Sequence, residues 1–220
     1  MAASRRYKLL CPIARALDRI GDRWTLLILR DLHAGPARFS DLQTGLTGIA
    51  ANLLTDRLQQ LADDGLVEKR GGEYGVMLYA LTPLGARTRD LLFELAMFGG
   101  RFEPDPEPRR PGNLRTIAVT LTAACQRVLE PGVAFKAALN IDDEMFTMNV
   151  ADGRVDIRYA PASSPDVTLT TSYEPMVDTA DGNMTPEEFA ANHSEIVAHT
   201  PGKDAELMGL LGAAMSMFRD

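Results

Sequence analysis

The chain has 220 residues, two cysteines and a formal net charge of −7, with 45% hydrophobic and 24% charged residues. That length suits two small domains, and so few cysteines exclude a disulfide-stapled scaffold. No apolar run reaches membrane-spanning length and no secretory leader is visible, so a protein of the reducing cytoplasm with no membrane partner is expected.

A first helix is expected from Pro12, whose fixed φ suits the first helical turn. In Phe39-Ser40-Asp41-Leu42, Ser40 can accept a hydrogen bond from a free backbone N–H and start a short helix, with Phe39 packing against its first turn. Gly45 and Gly48 end that helix in a sharp turn. After Ile49, Leu54, Leu58 and Leu61 recur at helical spacing, so one side of a second helix faces a core. The opposite side carries Ala51, Asn52, Thr55, Asp56 and Gln59. Asn52, Thr55 and Gln59 could reach base edges from a helix lying in the major groove.

Leu66-Val67-Glu68-Lys69-Arg70 reads as a strand, Gly71-Gly72-Glu73-Tyr74-Gly75 as a turn, and Val76-Met77-Leu78-Tyr79-Ala80-Leu81 as the returning strand. Lys69 and Arg70 then sit where a wing would meet phosphates. Helix, turn, helix and wing in this order are the layout of a DNA-reading module, although proteins that never touch DNA use it too. Thr82 caps a further helix that opens with Pro83 and runs through Leu84, Thr88, Leu91, Leu92, Leu95 and Phe98.

From Cys11 to Phe98 the chain resembles the HxlR-type winged-helix transcriptional regulators, relatives of the MarR group. The opening Cys11-Pro12-Ile13-Ala14-Arg15-Ala16-Leu17 and Gly21-Asp22-Arg23-Trp24-Thr25-Leu26-Leu27 carry the likeness. So do Gly35-Pro36-Ala37-Arg38-Phe39, Leu54-Thr55-Asp56-Arg57-Leu58, Asp64-Gly65-Leu66-Val67 and Tyr79-Ala80-Leu81-Thr82-Pro83-Leu84-Gly85. The resemblance implies a homodimer that binds an inverted-repeat operator in double-stranded DNA, with the helices from Pro12 and Pro83 as dimer surfaces. Family members often start the recognition helix with a capping Ser and a Lys or Arg, whereas this chain has Ala50, Ala51 and Asn52. More of the affinity should then rest on Arg38, Arg57, Lys69 and Arg70. Arg57 has an equal alternative, an ion pair inside the module.

Charge divides the same way. Residues 1–102 hold 14 Lys plus Arg against 11 Asp plus Glu, and residues 103–220 hold 9 against 19, so the acidic half is expected to face away from a duplex. Residues 103–112 contain four prolines and no apolar periodicity, which reads as a semi-rigid connector. The expected domains are therefore 1–102, a linker at 103–112, and 113–220.

In the second half, Leu114, Ile117, Ala118, Leu121, Cys125 and Val128 fall at helical intervals, and Pro131-Gly132 ends that helix. Four alternating segments follow, centred on Phe135 to Leu139, Phe146 to Val150, Val155 to Tyr159 and Val167 to Thr171. Asp152-Gly153 marks a hairpin turn between the second and third. An antiparallel sheet with one buried side is expected, then helices near 173–179 and 186–192, a short strand at 195–199 and a last helix over about 203–218. The whole is an α+β protein.

Phe146-Thr147-Met148-Asn149-Val150-Ala151-Asp152-Gly153-Arg154-Val155 and Pro165-Asp166-Val167-Thr168-Leu169-Thr170-Thr171-Ser172 resemble the sterol carrier protein-type lipid-binding domain. That resemblance implies an apolar cavity for a fatty or sterol-like molecule. Its lining would come from Phe146, Met148, Val155, Ile157, Val167, Leu169, Met208, Leu211, Met215 and Phe218. Methionines give an adaptable apolar wall, and equally they fill an ordinary core.

No metal-ligand spacing, nucleophile motif or phosphate-binding glycine loop is present, so neither enzyme chemistry nor a metal or cofactor is expected. Cys11 is the candidate reactive side chain, close to Arg5, Arg6, Lys8 and Arg15 at a helix start. Several regulators of the HxlR type use a cysteine at this place as a redox or electrophile sensor. The plainer reading is a small hydrophobe at a dimer seam. Three functions follow in order: a ligand-controlled operator-binding regulator, a redox-sensing repressor using Cys11, and a lipid-binding protein without DNA binding.

Overall fold

The computed structural model describes residues 7–72, 75–102 and 114–219. The proline-rich connector and Arg5 and Arg6 lie outside the described residues. By packing, the chain forms two compact units, 1–88 and 89–220. The boundary read from the sequence, after residue 102, followed the prolines; the division by packing falls at Thr88/Arg89.

The first unit begins with α1 (Pro12–Ile20) and α2 (Arg23–His33). Asp22 caps α2 by accepting from the Trp24 N–H at 3.0 Å. Next come α3 (Phe39–Gly45) and α4 (Ala51–Asp63), then strands β1 (Val67–Gly71) and β2 (Met77–Leu81). The expected cap on α3 is corrected. Arg38 occupies the capping position, and Asp41, three residues on, accepts its backbone N–H at 2.9 Å. Ser40 stands one residue too late to cap and turns its hydroxyl to Asp41.

Between α3 and α4, Gly48 takes φ +93°, a left-handed angle that glycine adopts without strain. On α4 the periodic Leu54, Leu58 and Leu61 are fully buried, which fixes the helix on its core and leaves the opposite face in solvent. β1 and β2 pair antiparallel with Val67 opposite Leu81 and Gly71 opposite Met77. Ala37 adds a short bridge to Tyr79, so the segment leading into α3 is tied to the wing.

The single helix expected from Pro83 is broken into α5 (Pro83–Ala86) and α6 (Arg89–Gly99). The break has a local cause that hydrophobic spacing does not reveal. The Arg87 and Thr88 N–H groups bond three residues back, to Leu84 and Gly85, which tightens the turn. The Thr88 hydroxyl donates to the Gly85 carbonyl at 2.7 Å, and His33 Nε2 lies 3.0 Å from it.

In the second unit, α6 packs on α7 (Thr116–Val128). Strands β3 (Phe135–Ile141), β4 (Glu144–Ala151), β5 (Arg154–Arg158) and β6 (Val167–Thr171) follow, then α8 (Tyr173–Ala180), α9 (Pro186–Asn192), β7 (Ser194–Ala198) and α10 (Lys203–Ser216), which ends in a single turn at Met217–Arg219. The strand order is β5-β4-β3-β6-β7. Asp152 and Gly153 both take positive φ, the hairpin geometry expected from their sequence.

The antiparallel expectation is corrected at the centre of the sheet, where β3 and β6 are parallel, Ala137 opposite Val167 and Ile141 opposite Thr171. Alternation fixes which face a side chain takes and not which strand lies alongside. Residues 159–166 carry the chain from edge strand β5 past β4 and β3, so β6 starts at the same end as β3. Asp166 fastens this crossover: its N–H donates to the Lys136 carbonyl at 2.7 Å and its carboxylate accepts from the Lys136 N–H at 2.9 Å. One face of the sheet is buried, and α7 packs on β5 while α10 packs on β6 and β7.

Candidate nucleic-acid interface

The exposed face of α4 presents Ala51, Asn52, Thr55, Asp56 and Gln59. Their hydrogen bonds decide what remains on offer. The Asn52 side-chain oxygen accepts from the Leu53 N–H at 2.9 Å, which leaves its amide hydrogens as donors. The Thr55 hydroxyl donates to the Ala51 carbonyl at 2.9 Å, which leaves its lone pairs and methyl. The Gln59 amide nitrogen donates to Asp63 at 2.8 Å, which leaves its oxygen as an acceptor. A donor, a hydroxyl and an acceptor over two turns match the groups displayed in a major groove.

This face carries no cation. Arg57 turns away from it: Nη2 lies 3.0 Å from Asp22 Oδ2 and Nη1 lies 3.2 Å from the Gln60 side-chain oxygen. Burial pushes the Asp22 carboxyl up, but the Arg57 guanidinium and the Trp24 N–H outweigh it and hold the group below its ordinary 3.8. Of the two readings of Arg57, the ion pair within the module is the one present.

Other basic groups flank α4. Arg38 is exposed at the start of α3, and its backbone N–H, not its guanidinium, meets Asp41. On the wing, the Lys69 ammonium sits 5.6 Å from the centre of the Tyr79 ring, and Arg70 pairs with Glu68 on its own strand. Both wing cations are exposed, and so is Ser40. A solvent-exposed pair such as Arg70–Glu68 is weak enough for a phosphate to replace the carboxylate.

Two anchoring contacts go beyond the sequence reading. Thr82 caps α5 as expected, receiving the Gly85 N–H at 3.1 Å, and it also donates to the Gly65 carbonyl at 2.6 Å, which locks the start of α5 to the junction between α4 and β1. Arg30 pairs at 2.8 Å with Asp31, which is wholly buried. The Thr82-Pro83-Leu84-Gly85 motif was the available signal for the first; for the second, adjacent opposite charges gave none.

Cys11 is exposed at the N-cap position of α1, where its thiol makes no capping bond, while Cys125 is buried on α7, where burial pushes its thiol up to about 12. Just before α1, Leu10 is exposed at 98%, and on α1 Ile13, at 70%, and Leu17 are exposed. On α6, Leu91, Leu95 and Phe98 are exposed as well.

The residues expected to line a lipid cavity divide. Phe146, Met148, Val155, Ile157, Val167, Leu169 and Leu211 are packed core, Met208 is half-buried, and Met215 and Phe218 border a cleft among helices. Among the described residues, no group of three or more His, Cys, Asp and Glu could hold a metal, and no helix is long and apolar enough to cross a membrane.

A family model described as an HxlR-like helix-turn-helix matches residues 19–106. The chain is similar to YtfH of Escherichia coli (strain K12), an uncharacterised HTH-type transcriptional regulator, with 36% identity over 90 residues, 39% of this chain and 70% of that one. It is also similar to Rv3095 of Mycobacterium tuberculosis (strain ATCC 25618 / H37Rv), another uncharacterised HTH-type transcriptional regulator, with 35% identity over 97 residues, 43% of this chain and 61% of that one. Among solved structures, quinone-bound YodB from Bacillus subtilis matches at 29% identity and a TM-score of 0.38, over 42% of this chain and 100% of that one.

Proposed function

Because the chain belongs to the HxlR-like helix-turn-helix family of transcriptional regulators, we propose that it binds an inverted-repeat operator as a homodimer. The observation that carries this reading is the exposed face of α4, where Asn52, Thr55 and Gln59 keep free hydrogen-bonding groups while Leu54, Leu58 and Leu61 hold the helix from beneath. In this reading α4 lies in the major groove, and Arg38, Lys69 and Arg70 meet the backbone on either side. The exposed apolar stripes of α1 and α6 support dimerisation, since side chains such as Leu10, Ile13 and Phe98 lose most by staying in water.

The second unit then serves as the effector-binding part, read as a sterol carrier protein-like domain. What supports this is its sheet, with helices over one buried face, and the position of α6. That helix buries Leu92 and Phe93, the latter against Phe218 and Arg127 of the second unit, and exposes Leu91, Leu95 and Phe98. A ligand that binds one dimer geometry better than another shifts operator affinity by that difference. A mobility-shift titration with the duplex upstream of its own gene, at low salt, tests the DNA reading. A retarded dimer complex is expected, and no shift against that duplex overturns it.

A second reading is favoured by the exposure of Cys11 at the N-cap position of α1. There the thiol responds to oxidants or electrophiles and the second unit is structural. Cys11→Ser would then abolish an operator response to diamide, and an unchanged response rejects this alternative.

A further inference from the structure

We propose that the open cleft between α6, α7, α8 and α10 is a binding site for a small, neutral aromatic alcohol. This deepens, and rests on, the reading of the second unit as the effector-binding part. It lies among the helices and shares Met215 and Phe218 with the lining read from the sequence, most of which sits in the packed core.

The cleft has a volume of about 220 Å³ and is bordered by Ala96 of α6, Ile117 and Thr120 of α7, Val177 of α8, Met215 of α10 and Phe218 beyond it. Size selects first. Pockets for drug-sized ligands run to about 300–1,000 Å³, and an apolar cavity of about 150 Å³ holds benzene, so this one suits a ring with a short tail and is too small for a sterol. Charge selects next, because among the described residues no Asp, Glu, Lys, Arg or His side chain borders the cleft to pair with an ion.

The wall also favours a ring. Phe218 meets Phe93 edge-on, with centroids 5.6 Å apart, and Met176 and Met215 add sulfurs that contact aromatic rings well. Three hydroxyl-bearing residues line the cleft, Thr116, Thr120 and Tyr173, and we assign the ligand's polar contact to Thr120. Its hydroxyl donates to the Thr116 carbonyl at 3.1 Å, so towards the cleft it offers lone pairs, and the matching ligand group is a hydroxyl donor.

The cleft is coupled to α6. Arg127 of α7 holds the first turns of that helix through Glu94 at 3.2 Å, Asp90 at 3.6 Å and the Phe93 ring, whose centroid lies 4.1 Å from the guanidinium carbon. Ala96, further along, faces the cleft, so an occupant presses on the part of α6 beyond the clamp, where Phe98 is exposed.

The test uses the full chain with methyl-labelled methionine, titrated with 3-phenylpropan-1-ol and, separately, with propylbenzene, which lacks only the hydroxyl. Saturable shifts of the Met176 and Met215 methyls are expected, with Met145 unmoved. Thr120→Val should weaken the alcohol about tenfold, to the level of propylbenzene. Val177→Phe should fill the cleft and abolish the shifts, and Ala96→Leu does the same by a second route should that variant not fold. The site is rejected if Met176 and Met215 do not respond, or if both filling variants bind as wild type does. The alcohol assignment is rejected if Thr120→Val keeps the preference over propylbenzene. A parallel operator titration separates the two levels: saturable methyl shifts with unchanged operator affinity support the site and overturn the effector reading.

Discussion

Arg57 of α4 is held by Asp22, the residue that caps α2, with Nη2 3.0 Å from Oδ2. The pair crosses from one helix to another inside the first unit, and it takes the one cation of the central turns of α4 out of reach of a duplex. The reading face is therefore polar and free of cations, with Asp56 as its one charge, and attraction to phosphates falls to Arg38 and the wing. Operator affinity should depend accordingly on groups outside α4.

Arg57→Ala is expected to lower stability by about 1 kcal/mol or less, because both partners remain partly solvated. It should leave the salt slope of operator binding unchanged. Arg38→Ala should do the opposite, keeping the melting temperature and reducing the slope by about 1. Thermal melts and binding isotherms over a salt series check both variants.

A Cβ on Gly85 would stand 2.0 Å from the Leu66 carbonyl oxygen. That atom is backbone and is bonded to the Thr82 N–H, so it has little freedom to move. Gly85→Ala should destabilise the first unit by about 1–3 kcal/mol through overpacking, whereas Gly99→Ala, with open space around it, should not. Urea titrations of the two variants make the comparison.

Both contacts show what was legible in the sequence. The apolar period of Leu54, Leu58 and Leu61 is set by the core and reads directly as a buried helix face. The Asp152-Gly153 turn and the wing strands read equally well, because turn chemistry and alternation are local. The direction in which Arg57 points depends on Asp22, thirty-five residues earlier. The parallel pairing of β3 with β6 is likewise fixed by a distant crossover held at Asp166. Long-range partners carry these features, and no periodicity encodes them.

Asp166 has its carboxyl held below the ordinary 3.8, first by the Lys136 N–H and then by the Thr200 hydroxyl. A depressed value in the folded state means that the contribution is present above the unfolded pKa, near pH 4, and is lost as pH falls through the folded one. Asp166→Asn should lower the melting temperature at pH 7, and its deficit should shrink towards pH 2.5 or so. Paired melts over that range give the answer, and a constant deficit would remove Asp166 from the account.

The two thiols should separate by accessibility. Cys11 is exposed, whereas Cys125 is buried and pushed up to about 12, so iodoacetamide at neutral pH should label one thiol per folded chain and two in denaturant. Peptide mass mapping identifies which. Fast labelling of Cys125 would contradict the packing of α7.

Replacing Leu10 and Ile13 together by Glu places charge on the exposed apolar side chains at the start of α1 and replaces no buried residue of the first unit. Light scattering should show a dimer for wild type and a monomer for the double variant, with the same melting transition in dilute solution. A wild-type monomer at every concentration would remove the dimer from the proposal.

The central claim is that the cation-free face of α4 reads bases while cations elsewhere hold the backbone. Its most direct test is fluorescence anisotropy of wild type and Gln59→Ala, on the duplex upstream of the gene and on a scrambled duplex, from about 50 to about 200 mM salt. The prediction is that Gln59→Ala loses about 1–3 kcal/mol on the upstream duplex and nothing on the scrambled one, with an unchanged salt slope. Equal binding of both duplexes by wild type, or a Gln59→Ala variant that binds the upstream duplex as wild type does, would contradict it.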